Sequence, residues 1–245
     1  MEFTFLMPCL NESETLEFAI NEANSAIERL KLNAEILIAD NGSVDNSAEI
    51  AIKNGARVTN VKIKGYGSAL IGGIKAAKGK YIIMGDCDGS YDFAHPDLFV
   101  QELRRGAKLV MGDRFKGGIE KGAMSFSHKW GIPFLSALAR WRFKTDIRDF
   151  HCGLRGFDRD AALKLNLVCP GMEFATEMIA RFAQSGEKIV QVPTSLRCDR
   201  RSGRSHLRTV RDGFRHLKFI LFNKIISFNS ESDLISTNSF VFNCE

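Results

Sequence analysis

Short apolar runs punctuate the first half of the chain, each followed by a polar loop and then by a longer stretch with apolar residues three or four apart. Such an alternation of strand-like and helical periods predicts βαβ units around a mostly parallel sheet. Strands are predicted over 3–7, 36–39, 58–63, 81–84 and 108–111, and helices over about 13–30, 43–54, 67–78 and 95–105. Ser13 and Ser43 stand where side-chain N-caps would start two of these helices. Beyond residue 115 the pattern is less regular. It predicts an amphipathic helix over 125–144 interrupted near Pro133, helices over 158–166 and 173–185, and a strand over 189–196. No internal repeat and no low-complexity linker divides the chain, so the expectation is one α/β domain, its central sheet flanked by helices.

Composition narrows this picture. With 245 residues and 44% hydrophobic content, the chain can bury one good core. The net charge of +5 is modest but uneven, because Arg197, Arg200, Arg201, Arg204, Arg208, Arg211, Arg215 and Lys218 crowd into 22 positions. An anionic partner is expected there. The phenylalanines within this segment fall at helical spacing rather than as a stacking platform for bases, so nucleic acid is not the expected partner. A basic loop followed by a basic amphipathic helix suits an anionic membrane surface and a lipid phosphate. Six cysteines without a C-x-x-C pair read as reduced thiols of a cytosolic protein. The N-terminal residues lack the pattern of a signal peptide, and no run of about 18 apolar residues is present to span a bilayer.

The stretch Gly85-Asp-Cys-Asp-Gly-Ser-Tyr-Asp92 holds three carboxylates directly behind an apolar strand. Acids so close repel unless a cation sits among them. Mg²⁺ or Mn²⁺ accepts such oxygen ligands and leaves positions open for phosphates, so Asp86 and Asp88 are candidate metal ligands beside a diphosphate. The alternative is a polar turn whose aspartates cap the next helix. In open parallel sheets ligands bind at the carboxyl ends of the strands, and the loops Pro8–Glu12 and Asp40–Asp45 would converge on the same edge.

Taken in order, Pro8-Cys-Leu-Asn-Glu12, Asp40-Asn-Gly-Ser-Val-Asp45, Gly65-Tyr-Gly-Ser-Ala-Leu70 and Gly85–Asp92 resemble the successive motifs of family 2 glycosyltransferases with the GT-A fold. Met111–Phe115, Asp149–Arg155, Gly171–Met178 and His206–Lys218 are similar to segments of dolichol-phosphate mannose synthase and its bacterial polyprenyl-phosphate relatives. The resemblance covers residues 1 to about 222. It implies that Pro8, Asn11, Glu12 and Gly65 line a nucleotide-sugar pocket and that Asp40 accepts from the base. Asp86 would lie at the ribose and metal, Asp88 on the metal, and Asp92 beside metal or sugar. Arg114, Lys129, Arg201, His206 and Arg208 would grip an acceptor phosphate, with Lys129 a departure because relatives often carry arginine there, and lysine gives no bidentate grip.

The resemblance implies an inverting transfer of a hexose from a nucleotide sugar to polyprenyl phosphate, by an enzyme lying peripherally on the cytosolic membrane face. A phosphate monoester with a second pKa near ~6 is largely dianionic at neutral pH. It needs little help from a general base, so Glu173 and Glu177, one helical turn apart, stand either as base or sugar ligands or as ordinary helix acids. The alternatives are a family 2 transferase acting on a saccharide hydroxyl, for which such a base would be indispensable, and an inactive nucleotide-sugar binding module. A nucleotidyltransferase would want a glycine-rich loop after the first strand, where this chain has PCLNE. Residues 223–245 depart from the resemblance into a Ser- and Asn-rich run, expected to form a poorly ordered tail.

Overall fold

The computed structural model describes residues 1–202 and 209–222. Its strands are β1 Phe3–Cys9, β2 Ala34–Asp40, β3 Arg57–Asn60, β4 Tyr81–Met84, β5 Leu109–Asp113, β6 Arg155–Asp158 and β7 Ile189–Pro193. The helices are α1 Leu16–Arg29, α2 Ser47–Lys53, α3 Tyr66–Ala76, α4 Asp97–Arg104, α5 Arg114–Gly117, α6 Phe126–Phe143, α7 Arg159–Lys164, α8 Phe174–Gln184 and α9 Thr209–Phe222.

All seven strands join one sheet in the order β3-β2-β1-β4-β6-β5-β7. Every pairing is parallel except those of β6, which runs antiparallel to both β4 and β5. The central strands are apolar almost throughout because helices cover both faces, as parallel sheets require; Phe3, Phe5, Leu6 and Met7 of β1 and Leu37, Ile38 and Ala39 of β2 are fully buried. The parallel strands point their carboxyl ends to one edge. β6 runs the other way, so the loop that precedes it, residues 149–154, arrives at that same edge.

Several local expectations shift. The strand expected to run to Ile63 ends at Asn60, and the one expected to run to Leu196 ends at Pro193, with Leu196 making only an isolated bridge to Ile119. Thr15 and Asn46, not Ser13 and Ser43, precede α1 and α2, and neither caps with its side chain. Ser43 Oγ instead accepts from the Asn11 amide at 3.0 Å, which ties the first two loops together. α6 is not interrupted: it runs through Pro133. Nor is it amphipathic, since apolar side chains lie on its exposed face as well as its buried one. β6 went unrecognised because four residues, RGFD, carry no period and begin with a charge. The Arg155 side chain is fully buried there and donates to the carbonyls of Cys152, Ala175 and Phe150 at 2.9, 2.7 and 3.1 Å. No helix among the described residues is long and apolar enough to cross a membrane. The expectations for His206, Arg208 and the segment 223–245 lie outside the described residues.

Candidate functional site

At the carboxyl ends of β1, β2 and β4 a cavity of about 430 Å³ opens, within the usual range for small-molecule sites. Pro8 from the end of β1, Glu12 from the loop after it, Asn41 from the loop after β2, Lys64–Tyr66 at the start of α3 and Asp86–Asp88 after β4 form its walls, together with Gly171, Met172, Arg201, Arg211 and Arg215. Carboxylates and cations thus face one space. Asp86 Oδ1 accepts from the Tyr66 hydroxyl at 2.9 Å. Burial, and after it the charge of Asp88, pushes the Asp86 carboxyl up to about 7. Asp88 is held by Ser90, whose amide and hydroxyl donate to Oδ1 at 3.0 and 2.6 Å. Gly89 makes this turn possible: its φ of +80° is a left-handed conformation that a side chain would resist, and a Cβ there would press on Arg200.

Arg201 supplies the cation that the acid cluster demands. Its Nη2 donates to Asp88 Oδ2 at 2.9 Å and its Nη1 to Glu12 Oε1 at 3.0 Å, while Asp199 accepts from Nε and Nη2 at 3.0 and 2.7 Å. Burial works against the guanidinium's charge, but the bonds to Asp199 and the fields of Asp88 and Glu12 outweigh it and raise its pKa. Burial likewise raises the Glu12 carboxyl, with Arg201 opposing. Among the described residues no three His, Cys, Asp or Glu side chains converge to hold a metal by themselves. Asp86 and Asp88 fit a divalent cation whose remaining positions are filled by phosphate oxygens, and the guanidinium already seated on Asp88 indicates that this spot favours positive charge.

The remaining candidates from the sequence divide between the cavity and the scaffold around it. Asn11 is exposed, its Oδ1 accepting from the Val44 amide at 2.8 Å, so it joins two loops. Both Asp40 oxygens are taken up by the amides of Gly42 and Ser43 at 3.1–3.3 Å, and the cavity wall carries Asn41 instead. Asp92 accepts from the Ala94 amide and faces His95 Nδ1, each at 3.0 Å. Arg114 is buried in a two-pronged pair with Asp149, Nε and Nη2 at 2.7 and 2.8 Å, away from the cavity wall. Lys129 lies exposed on α6. Glu177 is buried, binding the amides of Val168 and Cys169 and Arg181 Nε at 2.9–3.2 Å; it secures the loop before α8 rather than facing the cavity. Glu173 sits just behind the wall. Its Oε1 accepts from the Gly171 amide at 3.2 Å, and its Oε2, buried without a hydrogen bond, lies 3.4 Å from Arg215 Nε.

Several wall residues were not singled out from the sequence, among them Tyr66, Lys64, Asn41, Arg211 and Arg215. Tyr66 was visible only as the middle of a glycine pair. Lys64 donates to the Asn41 carbonyl at 2.7 Å, and Asn41 Oδ1 accepts from the Gly65 amide at 2.8 Å, so the two knit the second loop to the start of α3. Arg211 and Arg215 belong to the basic segment, and their fourfold spacing on α9 was the available signal.

A family model described as glycosyl transferase family 2 matches residues 4–165. The low-salt glycan biosynthesis hexosyltransferase Agl6 of Haloferax volcanii is 35% identical over 220 residues, 89% of this chain and 52% of that protein, so the chain spans about half of that relative's length. A dolichyl-phosphate hexose transferase of the same organism is 27% identical over 201 residues, 80% of this chain and 85% of that protein. Among solved structures, glucosyl-3-phosphoglycerate synthase from Mycobacterium tuberculosis, in complex with Mn²⁺, uridine diphosphate and phosphoglyceric acid, superposes with a TM-score of 0.67 at 24% identity, over 89% of this chain and 78% of that one. That likeness concerns the fold.

Proposed function

The chain belongs to glycosyl transferase family 2 and has the GT-A fold, and on that premise we propose that it moves a hexose from a nucleotide sugar to a polyprenyl phosphate of the dolichyl type at the cytosolic membrane surface. One observation carries the reading: a single cavity combines Asp86 and Asp88 with Lys64, Arg201, Arg211 and Arg215. Two carboxylates suit the cation that accompanies a diphosphate, and four cations are more than one diphosphate needs, which leaves charge for a second phosphate. The 27% identical dolichyl-phosphate hexose transferase supports the same acceptor class.

Asp86 and Asp88 would hold Mg²⁺ or Mn²⁺, which when bound neutralises charge on the departing nucleoside diphosphate. Pro8, Asn41 and Lys64 would border the nucleotide, and Tyr66 would fix Asp86. The acceptor arrives already ionised, so the chain's task is to orient it for in-line attack at the anomeric carbon, with inversion. Arg201 must leave Asp88 when the donor binds; freed, its guanidinium becomes available to phosphate oxygens. Arg211 and Arg215 would complete the acceptor grip.

The test is incubation with a panel of nucleotide sugars and a short-chain prenyl phosphate, with the lipid product identified by mass. A hexose-phosphate-prenyl product is expected with one donor. Asp88→Asn should lower turnover by about 10²–10³-fold, the scale of losing one group that stabilises transition-state charge, with unchanged circular dichroism. Full activity in the presence of a chelator would overturn the metal assignment. A second reading, transfer to a hydroxyl, draws on Glu173 behind Gly171, a carboxylate placed to act as base, whose buried Oε2 accepts no hydrogen bond and faces Arg215. Under it Glu173→Gln abolishes transfer to a saccharide acceptor; under the first it leaves transfer to prenyl phosphate nearly intact.

A further inference from the structure

α6 exposes Phe126, Trp130, Phe134 and Trp141 by 78, 71, 67 and 74%. At 3.6 residues per turn these four fall within an arc of about 80° and extend along roughly 22 Å of the helix. Pro133 and Ala137 are exposed between them, so among the described residues the exposed positions of α6 are apolar apart from Lys129. Ser136, Ala139 and Phe143 face the opposite way and are buried. A helix apolar on both sides, in a protein surrounded by water, lacks a partner on its outer side. α9 packs beside it, with the rings of Phe143 and Phe219 6.4 Å apart, and exposes Phe214, Leu221 and Phe222 together with Arg211 and Lys218.

We infer that the outward faces of α6 and α9 dock on an anionic lipid bilayer, the aromatic side chains entering the headgroup boundary and the basic side chains meeting lipid phosphates. Charge decides between this occupant and a second copy of the chain. Residues 126–144 include Lys129, Arg140, Arg142 and Lys144 and no Asp or Glu. A twofold contact would set this basic helix against itself with no acid to offset it, whereas anionic headgroups supply the missing sign. Tryptophan is the side chain that favours this boundary, its ring apolar and its N–H able to bond at the wet side. The inference rests on the membrane-surface part of the reading above and is independent of donor and acceptor chemistry.

The two tryptophans of the chain, Trp130 and Trp141, both lie on this face, so tryptophan fluorescence, excited beyond the tyrosine absorption, reports on it alone. The full chain is titrated with phosphatidylcholine vesicles with and without phosphatidylglycerol, free of prenyl phosphate. Anionic vesicles should shift the emission to the blue, lipids brominated in their acyl chains should quench it, and salt should weaken the binding. Phe126→Ser/Phe134→Ser should lower vesicle partitioning at least tenfold while nucleotide-diphosphate affinity stays unchanged. Vesicle binding without a change in tryptophan emission, or equal binding by the double variant, would overturn the assignment. So would a blue shift that depends on protein concentration alone and coincides with a dimer in sedimentation, which would make a second copy the occupant. Transfer to a short-chain prenyl phosphate without vesicle binding sinks this inference alone; vesicle binding without such transfer sinks the acceptor reading alone.

Discussion

Arg201 joins carboxylates that are far apart along the chain, Glu12 lying 189 positions before it and Asp88 113. Its removal leaves those acids facing one another at partial burial, where repulsion and lost charge-assisted bonds both count. Arg201→Ala should lower the unfolding free energy of the unliganded protein by about 1–3 kcal/mol. A divalent cation can then supply the missing charge, and a ligand that binds only the folded state stabilises it in proportion to its affinity. Mn²⁺ should therefore raise the melting temperature of Arg201→Ala more than that of the unaltered protein. Equal shifts in a thermal unfolding series would show that the guanidinium and the metal do not compete for Asp88.

At the level of elements, the site depends on how closely the start of α3 abuts the loop before α8. A Cβ at Gly67 would come within 2.1 Å of the Cys169 carbonyl oxygen and 2.7 Å of Phe174 Cβ, and one at Gly65 within 2.2 Å of the Pro170 carbonyl. These glycines permit close approach of the protein's own backbone. The Ser68 amide donates to the Pro170 carbonyl at 3.2 Å across this junction. Gly67→Ala should push α3 away from the loop at a cost of about 1–3 kcal/mol, and since Tyr66 and Gly171 both line the cavity it should also weaken nucleotide-diphosphate binding. Urea unfolding and calorimetric titration measure the two effects. A variant as stable as the parent, with unaltered affinity, would mean that the junction yields freely.

Across the whole molecule, a histidine pair fastens α9 to the body. The ring of His216 stands edge-on to that of His151 at 4.5 Å, and His216 Nδ1 lies 2.8 Å from Thr176 Oγ1. Burial first, then the charges of Arg155 and Arg215, lowers the His216 pKa to about 4. Burial and His216 lower that of His151 well below its ordinary value. An unfolded histidine takes its proton near ~6.5. Between that pH and 4 the unfolded chain binds more protons than the folded one, so stability is fully present above about 6.5 and falls as pH drops. The His216 share approaches ~3 kcal/mol at the acid end. Urea unfolding between pH 7 and 4.5 should show this loss, and His216→Gln should make the slope shallower. Identical slopes would mean that the imidazole is protonated in the fold or wet enough to titrate normally.

Local order along the chain was enough to determine the five parallel strands of the first half, their intervening helices and the acids at a strand's carboxyl end, because those features rest on periods of two and 3.6 residues and on the one-way run of βαβ units. Asp86 and Asp88 could be read as a pair for that reason. The partners of charged side chains could not be read, since they are set by contacts between distant loops that leave no periodic trace. Arg114 turns to Asp149 and Glu177 to the amides of Val168 and Cys169, whereas Arg201 reaches Asp88. Three side chains of the same chemical promise thus divide into two that hold the fold and one that enters the cavity. β6 is the same lesson in backbone: four residues with no period of their own pair antiparallel between β4 and β5. Burial of charge decided each case, since an ion taken out of water must find its counterion or its hydrogen bonds wherever the packed chain presents them.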